Sequence, residues 1–437
     1  MATIIDPTDF NRYEVVQVKN FDSVPVKVTI DPGSGDKPPS LDAFGRQRVS
    51  TPLTLFDSSH RYRDNNLWNT LTASGGAATF NANQGLVDLT VDTTSGSKVY
   101  RETTKVFSYQ PGKSLLVMTT FVLNAAKLNL RQRVGYFGAS NGMYLELDGP
   151  SGSTVAFVER SLVSGSVTET KVTQSNWNVD KMDGTGPSGY TLDITEAQIL
   201  WMDIEWLGLG TVRLGFVIDG KFILCHQFHH ANLINSTYIT TASLPLRYEI
   251  ENTGVTASSS TLKQICSTVI SEGGYELRGL QQGIATPITT PYNLTTAGTY
   301  YPIISLRLKA SPDRLDAIVI ITALSIMGIT NNANYNWRLV ASGTTTGGTW
   351  TSAGVDSGVE YNLTGTAFTG GRILAQGFIS ASNQAVTAVD ILKEALFKFQ
   401  LERNTFTSTP FEITLTASAG VTNTNIYAAM DWEEISR

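Results

Sequence analysis

The sequence is poor in charge and in cysteine, and both shortages exclude classes of protein. Only 16% of the 437 residues are charged, the net charge is −6 and the pI is about 5.4. An acidic balance predicts no general attraction to nucleic acid or to an anionic membrane. The two cysteines, Cys225 and Cys266, provide neither a disulfide framework nor a zinc site by themselves. We expect them to be small buried residues.

Long apolar runs are also missing. The most apolar stretch, residues 315–329, is interrupted by Thr322 and Ser325 and is too short to cross a bilayer. The first ten residues have neither the basic start nor the apolar core of a signal peptide. We therefore expect a soluble protein that does not insert into a membrane.

The dominant pattern is that of short half-buried strands. Apolar and polar residues alternate through 201–206, 212–218 and 247–250, which is the period of antiparallel strands. Asp219-Gly220 has the residue types of a tight hairpin turn with positive φ, so residues 216–218 and 221–224 are predicted to pair across it.

Further strands are predicted at the spacing typical of a β-sandwich: 77–81, 86–91, 99–104, 114–121, 132–137, 143–148, 154–160 and 167–172. This order resembles the jelly roll of legume lectins and laminin G modules, an analogy of fold that implies no function. Beyond a break near 277–285, strands are predicted at 300–308, 316–322, 336–342, 372–380, 411–418 and 426–432.

The predicted fold class is therefore all-β, with a jelly-roll sandwich followed by a second β-sandwich. Residues 1–50, rich in Pro and Gly around 30–40, form an extended N-terminal arm with a short strand at 24–30. Residues 51–277 form the jelly roll and 278–437 the C-terminal sandwich. One or two helical turns could form within 388–397.

Residues 42–64 mix arginines with aromatic residues, as in Phe44, Arg46, Arg48, Phe56, Arg61 and Tyr62. Such a mixture could bind nucleic acid or an acidic partner. Alternatively, 49–56 form the first strand of the sandwich, and the arginines pair with carboxylates of this chain or of a neighbouring subunit. We favour the second interpretation.

Three stretches resemble one family. They are DAFGRQRVS at 42–50, followed by PLTLFD at 52–57 and HRY at 60–62; VIDG at 217–220 through His226, with HAN at 230–232; and ICSTVISEGGY at 265–275. They are similar to uncharacterised virion structural proteins of tailed bacteriophages. The resemblance covers about residues 40–275, and it leaves the position in the virion open.

This resemblance implies a non-enzymatic virion protein, made in the host cytoplasm and placed on the capsid or tail as a decoration or fibre-type component. Because strand edges are commonly covered by assembly, we expect a homo-oligomer, with a trimer favoured, that also binds other virion proteins. The arm would attach it. Candidate assembly or attachment contacts are Phe44, Arg46, Arg48, Phe56, His60, Arg61 and Tyr62.

Two rival functions follow from other residues. In a host-receptor or carbohydrate-binding adhesin, loop aromatics at Trp177, Tyr190 and Trp350 would stack on a host-surface glycan. In a polysaccharide-degrading enzyme, Asp203 and Glu205, which share a strand face with Trp201, would act as paired carboxylates. The same alternation is that of any half-buried strand, and the sequence has no P-loop, dinucleotide fingerprint or nucleophile elbow. No enzyme activity and no cofactor are predicted.

Three histidines cluster at His226, His229 and His230, and neutral imidazoles are common zinc ligands. On a strand, His226 and His230 would face one side and His229 the other, so at most two could converge. We expect hydrogen bonds at a strand end or subunit contact, and no metal site.

Overall fold

The computed structural model describes residues 51–148, 154–276, 278–381 and 399–435. The predicted strand at 24–30 and the helical turns at 388–397 lie outside this range. All of the described residues belong to one compact unit. The described part is almost entirely β-structure, with a single short 3₁₀ turn at Gln174–Asn176.

The first fifteen strands are β1 (Leu53–Ser58), β2 (Trp68–Ala73), β3 (Ala77–Asn81), β4 (Leu86–Val91), β5 (Lys98–Thr103), β6 (Leu115–Val122), β7 (Leu130–Phe137), β8 (Gly142–Asp148), β9 (Thr154–Ser161), β10 (Thr168–Thr173), β11 (Gln198–Ile204), β12 (Val212–Ile218), β13 (Lys221–Phe228), β14 (Leu246–Asn252) and β15 (Ser260–Ser271). They form two antiparallel sheets. Within the described ranges, one sheet has eight strands in the order β13-β12-β11-β6-β15-β4-β3, with β1 also paired to β15. The other has seven, in the order β10-β9-β8-β7-β14-β5-β2.

The two sheets pack face to face around the first hydrophobic core. Strand β6 alternates buried and half-buried residues along its whole length, so Leu115, Val117 and Phe121 point inward. Val134 and Tyr248 face them from the seven-stranded sheet. This arrangement, two antiparallel sheets with many crossovers between them, confirms the predicted jelly-roll sandwich.

Long-range pairing closes the eight-stranded sheet. Leu53 of β1 lies opposite Ser271 of β15, and Ser58 lies opposite Ser267. The hairpin between β12 and β13 forms where Asp219-Gly220 predicted it, with Ile218 opposite Lys221 and positive φ at both turn residues.

The remaining strands are β16 (Leu280–Ala285), β17 (Tyr292–Leu294), β18 (Tyr301–Leu308), β19 (Ile318–Gly328), β20 (Asn334–Thr346), β21 (Thr351–Ser352), β22 (Val359–Asn362), β23 (Ala367–Ser380), β24 (Arg403–Asn404), β25 (Thr409–Pro410), β26 (Glu412–Ala419) and β27 (Thr424–Ile435). Apart from β24 and β25, which pair with each other in a separate two-stranded sheet, they form a second sandwich. Among the described residues, β16, β17 and β19 pair with β27 in one sheet, while the other runs β21-β22-β18-β26-β20-β23. The apolar stretch 315–329 supplies the single strand β19, whose residues Val319 and Ile321 join the second core.

Seven short strands were not predicted: β2, β16, β17, β21, β22, β24 and β25. Their positions lack a sustained alternation of apolar and polar residues. Most of them form against longer neighbours in their sheets, whereas β24 and β25 pair with each other. No helix in the described ranges has the length and apolar character of a membrane span.

A buried arginine joins the two sandwiches. Arg403, at the start of β24, is 2% exposed, and its Nη2 lies 3.0 Å from Oε1 of Glu102 on β5. The same guanidinium donates through Nε to the carbonyl oxygen of Leu315 at 3.1 Å and also to the carbonyl oxygen of Thr103. The side chain of Asn69 donates to the carbonyl oxygen of Arg403 at 2.7 Å. The junction therefore depends on polar groups that have no access to water.

The pair at Arg403 ends a chain of alternating charges across the outer face of the seven-stranded sheet. Glu102 also pairs with Arg247 at 3.0 Å, Arg247 with Glu249 at 2.7 Å, and Glu249 with Arg133 at 3.4 Å. All of these side chains are at most 8% exposed. Removing one member of such a set leaves its partner charged and buried, which is costly.

We expect Arg403→Ala to destabilise the protein by about 3–5 kcal/mol, because Glu102 loses a partner in a site without water. The measurement is the free energy of unfolding from urea denaturation, followed by tryptophan fluorescence.

The matched control is Arg278→Ala, which breaks an ion pair with Glu276 in which the two side chains are 73% and 56% exposed. An exposed pair contributes about 0–1 kcal/mol. Equal losses in the two variants would contradict the structural importance of the Arg403 junction.

Candidate functional site

The segment predicted to make attachment contacts begins in the core. Phe56 is 7% exposed and its ring lies 4.9 Å from that of Phe107 and 6.0 Å from that of Trp68. His60 is 1% exposed. The expectation that Phe56 and His60 are surface contacts is therefore wrong: a break in the register of β1 between Thr54 and Phe56 leaves both Leu55 and Phe56 buried, and His60 is buried in the turn that follows.

The next two residues are at the surface. Tyr62 is 81% exposed, and the guanidinium carbon of the exposed Arg61 lies 5.0 Å from the centre of its ring. Such a cation over an aromatic face is a preformed contact surface with both apolar and charged character. Phe44, Arg46 and Arg48 lie outside the described residues, so their role stays a prediction.

His60 occupies an unusual position for an imidazole. Among the described residues, neither ring nitrogen has a hydrogen-bond partner. Its Nδ1 lies 3.9 Å from Asp64, whose two oxygens each accept a hydrogen bond from Arg101 at 2.8 Å. Burial, together with the charge of Arg101, lowers the pKa of His60 to about 4. The imidazole is therefore neutral near pH 7, and protonating it costs stability.

The carboxylates Asp203 and Glu205 lie on the face of β11 directed away from the core, together with Trp201. A cation accompanies them: Arg213 on β12 lies 3.6 Å from Asp203 and 3.8 Å from Glu205. The indole of Trp201 donates to the carbonyl oxygen of Phe216 at 3.2 Å. The two buried carboxylates therefore share one arginine, an arrangement that a structural ion pair also has.

The three clustered histidines have separate surroundings. The Nδ1 of His226 accepts a hydrogen bond from the backbone of Asn178 at 3.3 Å, and burial, with a smaller effect of His229, lowers its pKa to about 4. The Nε2 of His230 lies 2.7 Å from Glu159. Burial acts to lower the pKa of His230, but its hydrogen bond with Glu159 raises it overall. Within the described ranges, no three His, Cys, Asp or Glu side chains are placed to share a metal ion.

Both cysteines carry free thiols. Cys225 is fully buried in the first core, and its Sγ lies 3.2 Å from the sulfur of Met182. Cys266 is half-buried on β15.

The three aromatic residues proposed to bind glycans differ in accessibility. Trp177 is 2% exposed and stacks on Phe157 with ring centres 4.5 Å apart, so the expectation that it is an exposed loop residue is wrong. Its loop folds back over the sandwich, and its indole donates to the carbonyl oxygen of Val172 at 3.2 Å. Tyr190 and Trp350 are half-buried.

Trp350 lies against a charged side chain of the six-stranded sheet. The guanidinium carbon of Arg307 is 4.0 Å from its ring centre, and Arg307 also pairs with Glu360 at 3.0 Å. Tyr190 is held through its hydroxyl, which donates to Asp219 at 2.8 Å. Each ring is therefore fixed in orientation by a neighbouring charge.

One surface was not predicted from the sequence. The connections 205–211 and 229–245, at one end of the eight-stranded sheet, expose several large aliphatic side chains. In the sequence they look like ordinary turns, since Leu207-Gly208-Leu209-Gly210 has the composition of any tight connection. The available signal was the placement of leucine and isoleucine in turns otherwise made of Gly, Asn, Ser and Thr.

Compared with family models and with curated proteins, the sequence shows no match. Several solved structures are similar in fold. The carbohydrate recognition domain of Emp47p shares 14% identity over 51% of this chain and 98% of that domain, with a TM-score of 0.31. Bacillus licheniformis beta-glucanase has 11% sequence identity over 49% of this chain and 96% of the glucanase, with a TM-score of 0.33. A glycosyl hydrolase family protein from Mycobacterium fortuitum has 8% sequence identity over 50% of this chain and 99% of that protein, and its TM-score is also 0.33. At these values the likeness bears on the fold alone.

The buried His60 predicts an acid-sensitive fold. Its folded-state pKa of about 4 lies below its unfolded value of about 6.5, so the unfolded chain binds the proton first and stability falls as the pH drops between these values. From pH 7 to pH 4, this group should remove on the order of 2–3 kcal/mol. His60→Leu should reduce the loss, as measured by urea denaturation at a series of pH values.

Tyr62→Leu is the control, because Tyr62 is 81% exposed and a leucine at this surface position should leave the loss of stability on acidification as in the wild type. If His60→Leu and the wild type lose the same free energy on acidification, the buried neutral imidazole is not the source of the acid sensitivity.

Proposed function

We propose that this chain is a non-enzymatic structural protein of a tailed-phage virion, assembled as a homo-oligomer on the capsid or tail. The observation that carries the proposal is the placement of the family-like stretches. Residues 53–58 and 267–271 come from two of them and are paired neighbours, β1 and β15. The third stretch contributes the hairpin β12-β13 of the same sheet.

These stretches therefore belong to one sheet, in which β11 and β6 lie between the hairpin and β15. The exposed pair Arg61 and Tyr62 follows β1 directly and supports a contact with another virion protein, because it combines a charge with a large apolar ring at the surface. The burial of Asp203 and Glu205 beside Arg213 supports a role without catalysis. In this proposal, the protein acts by burying surface against its neighbours.

If the proposal is correct, an antibody to residues 278–437 should label intact phage particles in electron microscopy with gold. Label over the head indicates a decoration protein, and label at the tail indicates a fibre-type component. Purified particles without label, while the lysate still contains the chain, would contradict the virion assignment.

The same particles test the attachment surface. Arg61→Ala with Tyr62→Ala should lower the amount of the protein per particle several-fold, since both side chains are exposed and their loss leaves the core intact. Arg63→Ala, a neighbouring exposed arginine, is the matched control and should be incorporated normally.

A second function is favoured by a separate observation, the fixed and partly open indole of Trp350 above Arg307. An aromatic ring can stack on a sugar, and a guanidinium beside the ring can bind an acidic group of that sugar. In this alternative, the protein is a host-receptor or carbohydrate-binding adhesin of the tail.

We expect Trp350→Ala to abolish any binding to host-surface glycans on a glycan array while leaving the unfolding midpoint nearly unchanged. Tyr361→Ala, another half-buried aromatic residue of the same sheet, provides the comparison. Glycan binding that persists in Trp350→Ala would exclude this ring as the contact, and a wild-type protein without glycan hits would leave the adhesin role without support.

A further inference from the structure

Two loops at one end of the eight-stranded sheet expose a group of large aliphatic side chains. We call this group the loop patch; its members are Leu207 at 59%, Leu209 at 40%, Leu233 at 71% and Ile234 at 38% exposure. Single exposed leucines are common on protein surfaces, but a contiguous group of them marks an interaction site.

The first loop is held in place by its neighbour. The backbone N–H of Tyr238 donates to the carbonyl oxygen of Gly208 at 3.0 Å, and its hydroxyl donates to the carbonyl oxygen of Glu205 at 2.8 Å. A side chain at position 208 would meet Thr237 at 2.9 Å, so the two loops are in close contact. The two loops therefore lie side by side at this end of the sheet.

His230 anchors the second loop. Its ring stacks on Tyr238 with centres 3.9 Å apart and planes 7° apart. Nδ1 lies 2.5 Å from the carbonyl oxygen of Gly210, and Nε2 lies 2.7 Å from Glu159. The carbonyl oxygen of His230 accepts hydrogen bonds from Leu233 at 2.9 Å and from Ile234 at 3.1 Å. These contacts fix the aliphatic residues before any partner binds, which lowers the entropic cost of binding.

The backbone at Leu207 costs stability. Its φ is +40°, a left-handed conformation that bulky residues rarely adopt and that Gly or Asn adopts easily. A strained leucine whose side chain is more than half exposed contributes little to the fold of the isolated chain. Strain of this kind is commonly retained where the residue serves a contact.

Charge identifies the kind of partner. None of the residues 207–211 and 231–237 is charged. A loop that enters a lipid surface usually combines apolar tips with lysine or arginine, which these loops lack. Around a symmetry axis, each residue lies near its own copies, so an uncharged apolar surface can meet itself without repulsion.

We propose that the loop patch is the contact through which copies of this chain associate into a closed symmetric oligomer. The biological setting of this contact rests on the proposed virion function, but the association itself can be measured on the purified chain. Leu207, Leu209, Leu233 and Ile234 would form the apolar centre of the interface, and the Asn, Ser and Thr side chains of the same loops its polar rim.

The test is sedimentation velocity of the full chain at micromolar concentrations, comparing the wild type with the double variant Leu207→Asn and Leu233→Ser. The wild type should sediment as an oligomer, and the variant should dissociate with a dissociation constant at least tenfold larger. Because Asn accommodates a positive φ, Leu207→Asn alone should raise the thermal midpoint of the monomer, so a folding defect cannot explain the dissociation.

The matched control is Leu128→Ser with Val255→Ser. These residues are 57% and 70% exposed at the opposite end of the sandwich, where Asn129 donates to the carbonyl oxygen of Val255 at 2.9 Å. The control should keep the wild-type mass. A monomeric wild type, or a loop-patch variant with unchanged mass, would overturn the proposal.

A parallel flotation experiment with vesicles of uncharged phosphatidylcholine tests the choice of partner. Wild-type chain that floats with the vesicles, and loses this binding in the double variant, would overturn self-association as the role of the patch. Gold labelling separates the two proposals. If the particles are labelled but the double variant keeps its oligomeric mass, only the role of the loop patch is refuted. If the double variant dissociates but the particles carry no label, only the virion role is refuted.

Discussion

The pairing of buried charges on the outer face of the seven-stranded sheet is the constraint on which the rest of the molecule depends. Glu102 accepts from arginines of both sandwiches, Arg247 and Arg403, so the jelly roll and the second sandwich share one polar network. Hydrophobic burial can tolerate small shifts, but a buried ion pair needs correct distances and angles. The network therefore fixes how the hairpin β24-β25 meets strand β5.

Sequence alone predicted the fold class and most strands of the jelly roll, because alternation over six or more residues is a strong local signal. It could not predict that β1 pairs with β15, since register between distant strands depends on the whole sheet. It also placed Trp177 and His60 at the surface. A turn composition around a large side chain does not indicate which way that side chain points, and in both cases the chain folds back over it.

Two surfaces of the molecule show how composition and burial can disagree. The charged outer face of the seven-stranded sheet is polar in sequence yet buried, while the loop patch is apolar in sequence yet exposed. Both depart from the binary rule that apolar residues lie inside. Such departures are expected where a protein uses a surface for contacts, because that surface faces another protein surface instead of water once the contact has formed.

The pairing of β1 with β15 has a consequence for synthesis. Strand β1 ends at residue 58, and its partner spans residues 260–271. At typical ribosome speeds of about 5–20 residues per second, β1 waits roughly 10–40 s for its partner. During this time Leu55 and Phe56 remain exposed on the nascent chain. Aggregation of unfinished chains is therefore a physical risk of this topology. A chain that ended before residue 260 would lack the partner strand and would keep these apolar residues uncovered.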